Sequence, residues 1–207
     1  MKNSLSLLRK GAAVAAATAA VLTSSAFGQG QLQIGKIAFD KLQSPQVATG
    51  DSKSWKPKDW LEFEVGLTLP ATNAEEKKSG FVDKILVKWS VAVENPDGKG
   101  FILLTKDVTH INVPIDEEVY SSVYLSPNTV KRVTGSDSVS RGSVDRVMVE
   151  VLVNGRSMGA ESSKGKPDWA NSPSLSDQSR RFPLLNKIET PFKMLWWDRY
   201  AEIEEQR

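Results

Sequence analysis

The 207-residue chain has no cysteine, a single histidine, and no apolar run approaching the roughly 20 residues that a bilayer span requires. Without cysteine there are no disulfide staples, no lipid-anchored N-terminal cysteine, no thiol chemistry and no thiolate metal site. Stability must come from burial of apolar surface, at roughly 25 cal/mol per Å². With one histidine there is no histidine pair to hold a metal. An excess of basic charge is also lacking once the N-terminus is set aside. Three of the 27 Lys+Arg are Lys2, Arg9 and Lys10, and the first 28 residues hold no acid. The remainder therefore carries 24 Lys+Arg against 25 Asp+Glu, or −1. A near-neutral surface argues against a dedicated nucleic-acid binder, which would show a basic stripe.

The N-terminus has the layout of a secretory signal peptide. A basic start precedes small and apolar residues from Gly11 to Leu22. Ser24 and Ala26, or Ala26 and Gly28, then supply small residues for a cleavage site. The expectation is export to the periplasm, the cell surface or the medium, with a mature chain beginning near Phe27 or Gln29. A prepilin-type cut after Gly11 is the alternative. It would retain the apolar run, but Ala16 stands where bacterial prepilins carry Glu. About 180 residues follow the leader, enough for one domain with a real core.

That domain reads as strands. Leu61, Phe63, Val65, Leu67 and Leu69 alternate with Glu62, Glu64, Gly66 and Thr68, giving one dry face and one wet face. Ile85, Val87, Trp89, Val91 and Val93 form a second dry face. Asn95-Pro96-Asp97-Gly98 signals a turn, with Phe101–Thr105 returning. Val147, Val149, Val151 and Val153 alternate up to Asn154-Gly155, a two-residue hairpin signal, with Arg156–Glu161 as the return strand. Weaker strands cover Leu32–Phe39, with a kink at Gly35, then Val108–Val113 and Val119–Leu125. Ser126-Pro127 with Gly135 downstream predicts a short helix. Lys41–Lys58 and Ala71–Gly80 read as loops, and Ser162–Arg181 as a surface wrap anchored by Trp169. Thr190-Pro191 followed by Phe192, Leu195, Trp196, Arg199, Tyr200 and Ile203 at helical spacing predicts an amphipathic helix to about Glu205, with Trp196 in its buried stripe. A strand through Met194–Trp197 is the rival.

The expected fold is therefore all-β. It is an immunoglobulin-like antiparallel β-sandwich with long loops and a C-terminal amphipathic helix, with Trp89 as a core tryptophan on its strand. The domain order is a signal peptide over 1–28, the sandwich over 29–189 and the helical tail over 190–207.

Chemistry-bearing residues are sparse. His110 could act as a base if a hydroxyl or carboxylate converged on it, but there is no G-x-S-x-G elbow. Ser163-Lys164-Gly165-Lys166 matches Ser-x-x-Lys only formally. Asp137–Gly142 lacks calcium ligands at the alternating positions, and Asp116-Glu117-Glu118 reads as a solvated loop. No enzyme activity, catalytic residue, metal or cofactor is expected. The candidate partner-binding residues are Trp55, Trp60, Trp197, Asp198 and Arg199, since aromatic rings beside polar groups suit a protein partner or carbohydrate stacking.

The segment Thr190-Pro191-Phe192-Lys193-Met194-Leu195-Trp196-Trp197-Asp198-Arg199-Tyr200, with Tyr124-Leu125-Ser126-Pro127 and the Trp89 strand, resembles a family of small exported proteins of Akkermansia-type gut bacteria. These are encoded beside type IV pilus-like genes and have an immunoglobulin-like fold related to archaeal pilins. The resemblance implies a structural or adhesive role in a pilus-like surface assembly, with other protein subunits as partners. It assigns no site residues. The alternative is a carbohydrate-binding module using Trp55, Trp60 or Trp197.

Overall fold

The computed structural model describes residues 30–46, 56–136, 142 and 144–205. The leader, with the expected domain at 1–28, and Trp55 lie outside the described residues, as does nearly all of Asp137–Gly142. Eleven strands and two short helices follow one another: β1 (Gln33–Ile34), β2 (Ala38–Gln43), β3 (Asp59–Thr68), α1 (Ala74–Ser79), β4 (Phe81–Glu94), β5 (Phe101–Pro114), β6 (Glu118–Leu125), α2 (Pro127–Thr134), β7 (Val144–Val153), β8 (Arg156–Ser162), β9 (Ser176–Asp177), β10 (Leu185–Asn186) and β11 (Glu202–Ile203). One sheet runs β1-β3-β6-β10, with β2 also on β3. The other runs β11-β5-β4-β7-β8, with β9 parallel to β5 and every other strand pair antiparallel.

This connectivity is that of an immunoglobulin-like sandwich. β3 and β6 make the B–E pair, and β5-β4-β7-β8 make the C′-C-F-G ribbon. Trp89 sits on the C-equivalent strand, fully buried in the core with Phe63, Val65, Val87, Leu104 and Val149. The alternating residues of β3, β4 and β7 supply that core from both inner faces, as period two requires.

Local signals translate directly. Asn154 and Gly155 both take positive φ (51° and 74°) in the β7–β8 hairpin, the backbone a primed two-residue turn demands. The Ser126 hydroxyl accepts from the Thr129 N–H at 3.2 Å, Pro127 opens α2, and Gly135 closes it at φ 70°. At the kink between β1 and β2 the Gly35 N–H donates to Gly66 O at 2.8 Å, and a Cβ there would press on that same oxygen at 3.3 Å.

Four expectations need correction. Val108–Val113 is not a separate strand but the second half of β5. The Ala71–Gly80 loop contains α1, because Asn73 caps it and the Glu76 carboxylate reaches back to the Thr72 N–H. The outer face of β3 is not wet: Glu62 and Glu64 are buried. Most consequentially, there is no C-terminal helix. Residues 190–205 form a turn, a single 3-10 turn at Trp197–Arg199 and β11. The Met194–Trp197 strand is absent as well. The side chains of the tail find partners on the sheet that a straight helix would forfeit, and Trp196, at φ 53°, ψ 40°, breaks helical geometry.

Candidate functional site

The tail lies over the outer face of the β3–β6 sheet, and its side chains explain why that face is dry. Phe192 is buried between Trp60 of β3, edge-on at 5.6 Å, and Tyr124 of β6, stacked at 5.4 Å. Below it a polar cluster connects tail and sheet. Glu62 accepts hydrogen bonds from the hydroxyls of Tyr124 (2.5 Å) and Tyr200 (3.2 Å). Glu64 accepts from the Arg199 guanidinium (2.5 Å) and from the Tyr200 hydroxyl. The Arg199 guanidinium also lies 3.7 Å from the centre of the Tyr120 ring.

Burial pushes the Glu62 carboxyl up from the ordinary carboxylate range, and the neighbouring Glu64 charge adds to this. The Tyr124 and Tyr200 hydrogen bonds oppose it. Burial beside these carboxylates also pushes both phenols up. The phenols thus stay protonated and act as donors. No buried side-chain nitrogen or oxygen among the described residues lacks a hydrogen-bond partner. This arrangement holds a strap in place.

Lys187 fixes the shape of the turn. Its 3-10 turn, Lys187–Glu189, is closed by a reciprocal Asn186–Glu189 capping box. Its buried ammonium donates to Phe192 O at 2.7 Å and to Leu195 O, and lies 4.4 Å from the Tyr200 ring centre. Burial lowers its pKa, while the charges of Glu62 and Glu64 pull the other way.

The result is an outward ridge. Trp196 is 51% exposed, Trp197 58% and Met194 75%, whereas the apolar stripe places Trp196 inside. A bulky aromatic in the left-handed region is strained by about 1–3 kcal/mol. Lys187 and the Arg199 N–H, which donates to Trp196 O at 3.1 Å, hold it there. Beside the ridge lies a groove of about 200 Å³, walled by Ile188, Lys193, Trp197, Tyr200, Ile203 and Glu205.

The structure thus sorts the sequence candidates. Trp197 and Asp198 are exposed on the ridge. Arg199 is next to them but spends its guanidinium on Glu64 and Tyr120. Trp60 is half-buried under Phe192, with its N–H on Ser44 Oγ at 3.0 Å, and serves as a platform for the tail. Trp169 anchors the 162–181 wrap, donating to Ser162 Oγ at 3.0 Å. Of the residues that build the strap, Phe192 and Tyr200 stand out in the sequence only as part of the tail's apolar stripe, Glu62 and Glu64 only as two carboxylates in a strand, where Glu is depleted, and Lys187 not at all.

His110 has a hydroxyl partner, but in the core. Its Nδ1 faces the carbonyls of Ala201 (3.1 Å) and Glu202 (3.3 Å), so that nitrogen carries the proton. Its Nε2 accepts from Ser121 Oγ at 2.8 Å, which in turn accepts from the Trp89 N–H at 3.3 Å. Burial lowers the imidazole pKa to about 4. Both residues are almost entirely inaccessible, so no substrate reaches this pair. Ser163 Oγ accepts from the Val147 N–H, so the serine of the formal Ser-x-x-Lys match is engaged in structure, and Lys166, its lysine, is exposed. No group of acids and histidine with metal-binding geometry occurs among the described residues, and no described helix is long and apolar enough to cross a membrane.

A family model matches the chain over residues 23–207. Among solved structures, a crystal structure of a protein from Akkermansia muciniphila superposes with a TM-score of 0.76 at 37% identity, covering 86% of this chain and 94% of that one. No curated protein matches the chain. Fold, identity and coverage agree, and the chain belongs to the family that this model describes and shares it with the Akkermansia muciniphila protein.

Proposed function

We propose that this is an exported, non-enzymatic interaction protein that works by contact with other protein subunits of a type IV pilus-like surface assembly. The observation that carries the reading is the Trp196–Trp197 ridge. Two large aromatics are held in solvent by a strained turn, and that turn is clamped by a buried lysine and two buried carboxylates. A fold spends strain and buried charge in this way where a surface is used. The leader layout supports export. The resemblance of the tail, Tyr124–Pro127 and the Trp89 strand to the pilus-linked family supports the assembly.

Trp196→Ala with Trp197→Ala tests this. Both rings are more than half exposed, so folding stability stays within about 1 kcal/mol of wild type. Co-purification of cell-surface proteins with the protein falls by about tenfold or more if the ridge is an aromatic hot spot. Unchanged co-purification contradicts the reading.

A second reading rests on the same exposed Trp197 beside the mixed Lys193/Glu205 rim, which suits stacking on a sugar ring. With Trp60 covered by the tail, Trp197 carries that reading among the described residues. Glycan-array binding lost in Trp197→Ala supports it, and no binding by the wild type removes it.

A further inference from the structure

The ridge is not the only surface with unused capacity. β8 is the outer strand of its sheet, and among the described residues nothing pairs with its far edge. Natural edges are blunted by proline, lysine or coverage. The centre of β8, Ser157-Met158-Gly159-Ala160, has neither proline nor lysine; Leu32 and Ile34 lie against its inner face at Gly159, and Met158 is 38% exposed.

The register of β8 shows what fits. The Ser163 N–H donates to Val147 O at 2.8 Å, and Glu161 and Gly159 lie opposite Val149 and Val151. By the antiparallel alternation, Ala160 therefore turns its N–H and C=O outward. Arg156 pairs with Val153 to close the two-residue hairpin, so Ser157 also faces outward, with the bulge at Met158 between it and Ala160. A second β8 laid antiparallel across a two-fold axis can set Ser157 opposite Ala160 of the second copy, and Ala160 opposite its Ser157. All of those outward groups then meet in hydrogen-bonded pairs.

The same register places Arg156 opposite Glu161 of the second copy, twice by symmetry. Arg156 and Glu161 lie on one face of the sheet, since their partners Val153 and Val149 both point into the core. Opposite charges thus meet on the same face in this alignment. Three independent features of the strand, namely its outward groups, its side-chain faces and its charges, agree.

We infer that β8 is a self-pairing edge, at which a second copy of this chain adds across a two-fold axis to join the two β5-β4-β7-β8 sheets into one. This deepens the reading of the protein as an assembly component and uses a surface separate from the Trp ridge.

Sedimentation of the full-length chain tests it. The wild type runs as a two-chain species at micromolar concentration, the affinity range of a small interface. Ala160→Pro removes an outward N–H and no ladder bond, so it gives a monomer with little change in thermal midpoint. Arg156→Glu alone and Glu161→Arg alone each place like charges in both cross-strand pairs and weaken association by about tenfold or more. The double exchange Arg156→Glu with Glu161→Arg restores it. A monomeric wild type, or a dimer indifferent to Ala160→Pro and to both single reversals, overturns the inference. Neither result touches the ridge, whose variants Trp196→Ala and Trp197→Ala leave β8 intact, so the two readings fail separately.

Discussion

Phe192→Ala should destabilise the protein by about 3–5 kcal/mol, the range for removing a fully buried aromatic. Phe192 is 1% exposed and fills the space between Trp60 and Tyr124. Its loss removes the apolar contact that shields the Glu62–Glu64–Tyr200–Arg199 cluster from water. The cluster then becomes an ordinary surface set of ion pairs, worth little. The penalty should therefore exceed that of a cavity alone, and it should be uneven in space. Amide exchange should rise most at Ala201 and Glu204, whose N–H groups donate to Tyr120 O and Thr109 O, and least in the middle of β4. Chemical denaturation with hydrogen exchange checks both. A loss below about 1 kcal/mol, or uniform exchange, would show that the tail does not depend on this anchor.

The second large effect is on pH. His110 is the only histidine, and burial holds it neutral, with its pKa lowered from 6.5 to about 4. Above pH 6.5 both folded and unfolded states are neutral there, and its full contribution is present. As pH falls below 6.5 the unfolded chain takes up a proton that the folded chain refuses until about pH 4, so stability is lost through that window. The loss amounts to about 2 kcal/mol between pH 7 and pH 5. Glu62 acts in the opposite sense. Its raised pKa means that the folded state holds a proton longer than the unfolded one, so its contribution falls as pH rises above 4.5. Denaturation at pH 5, 6 and 7 should show the positive slope in the wild type and a flattened one in His110→Asn, which keeps a donor toward Ala201 O. It should be steeper in Glu62→Gln. Equal slopes in wild type and His110→Asn would contradict the buried neutral imidazole.

How much of this was legible in the sequence depended on distance along the chain. Trp89 in a period-two strand, Asn154-Gly155 at a hairpin and Ser126-Pro127 at a helix start are local features whose physics acts within a few residues, and each reads through to the structure. The strap does not. Glu64 meets Arg199 across 135 residues and Glu62 meets Tyr200 across 138, and nothing in either segment announces the other. Seen alone, Glu62 and Glu64 in an alternating strand are solvated. They are dry because a tail arrives to cover them. The tail misleads for the same reason. Phe192, Leu195, Trp196 and Tyr200 satisfy a helical period, but hydrogen-bonding and stacking partners on β3, β5 and β6 outweigh a helix propensity that is weak for a short aromatic-rich segment. The period error then reverses Trp196, placing inside a ring that stands in solvent. The site candidates fared by the same logic. Trp197 and Asp198 are outward, whereas Trp60 and Arg199 are largely engaged in holding the strap.

Two kinds of contact surface emerge, and they differ in design. The ridge is aromatic, strained and rigidly supported, suited to inserting into a partner. The β8 edge is a main-chain surface with a self-complementary charge pattern, suited to joining two copies across a two-fold axis.

Site-specific photocrosslinking in the producing cells tests the central claim most directly. A photoreactive residue replaces Trp197 on the ridge in one strain and Trp60 under the tail in another. We expect a covalent adduct with a second cell-surface protein from position 197 and none from position 60. No adduct from position 197, or equal adducts from both positions, would contradict a protein that acts through this clamped ridge.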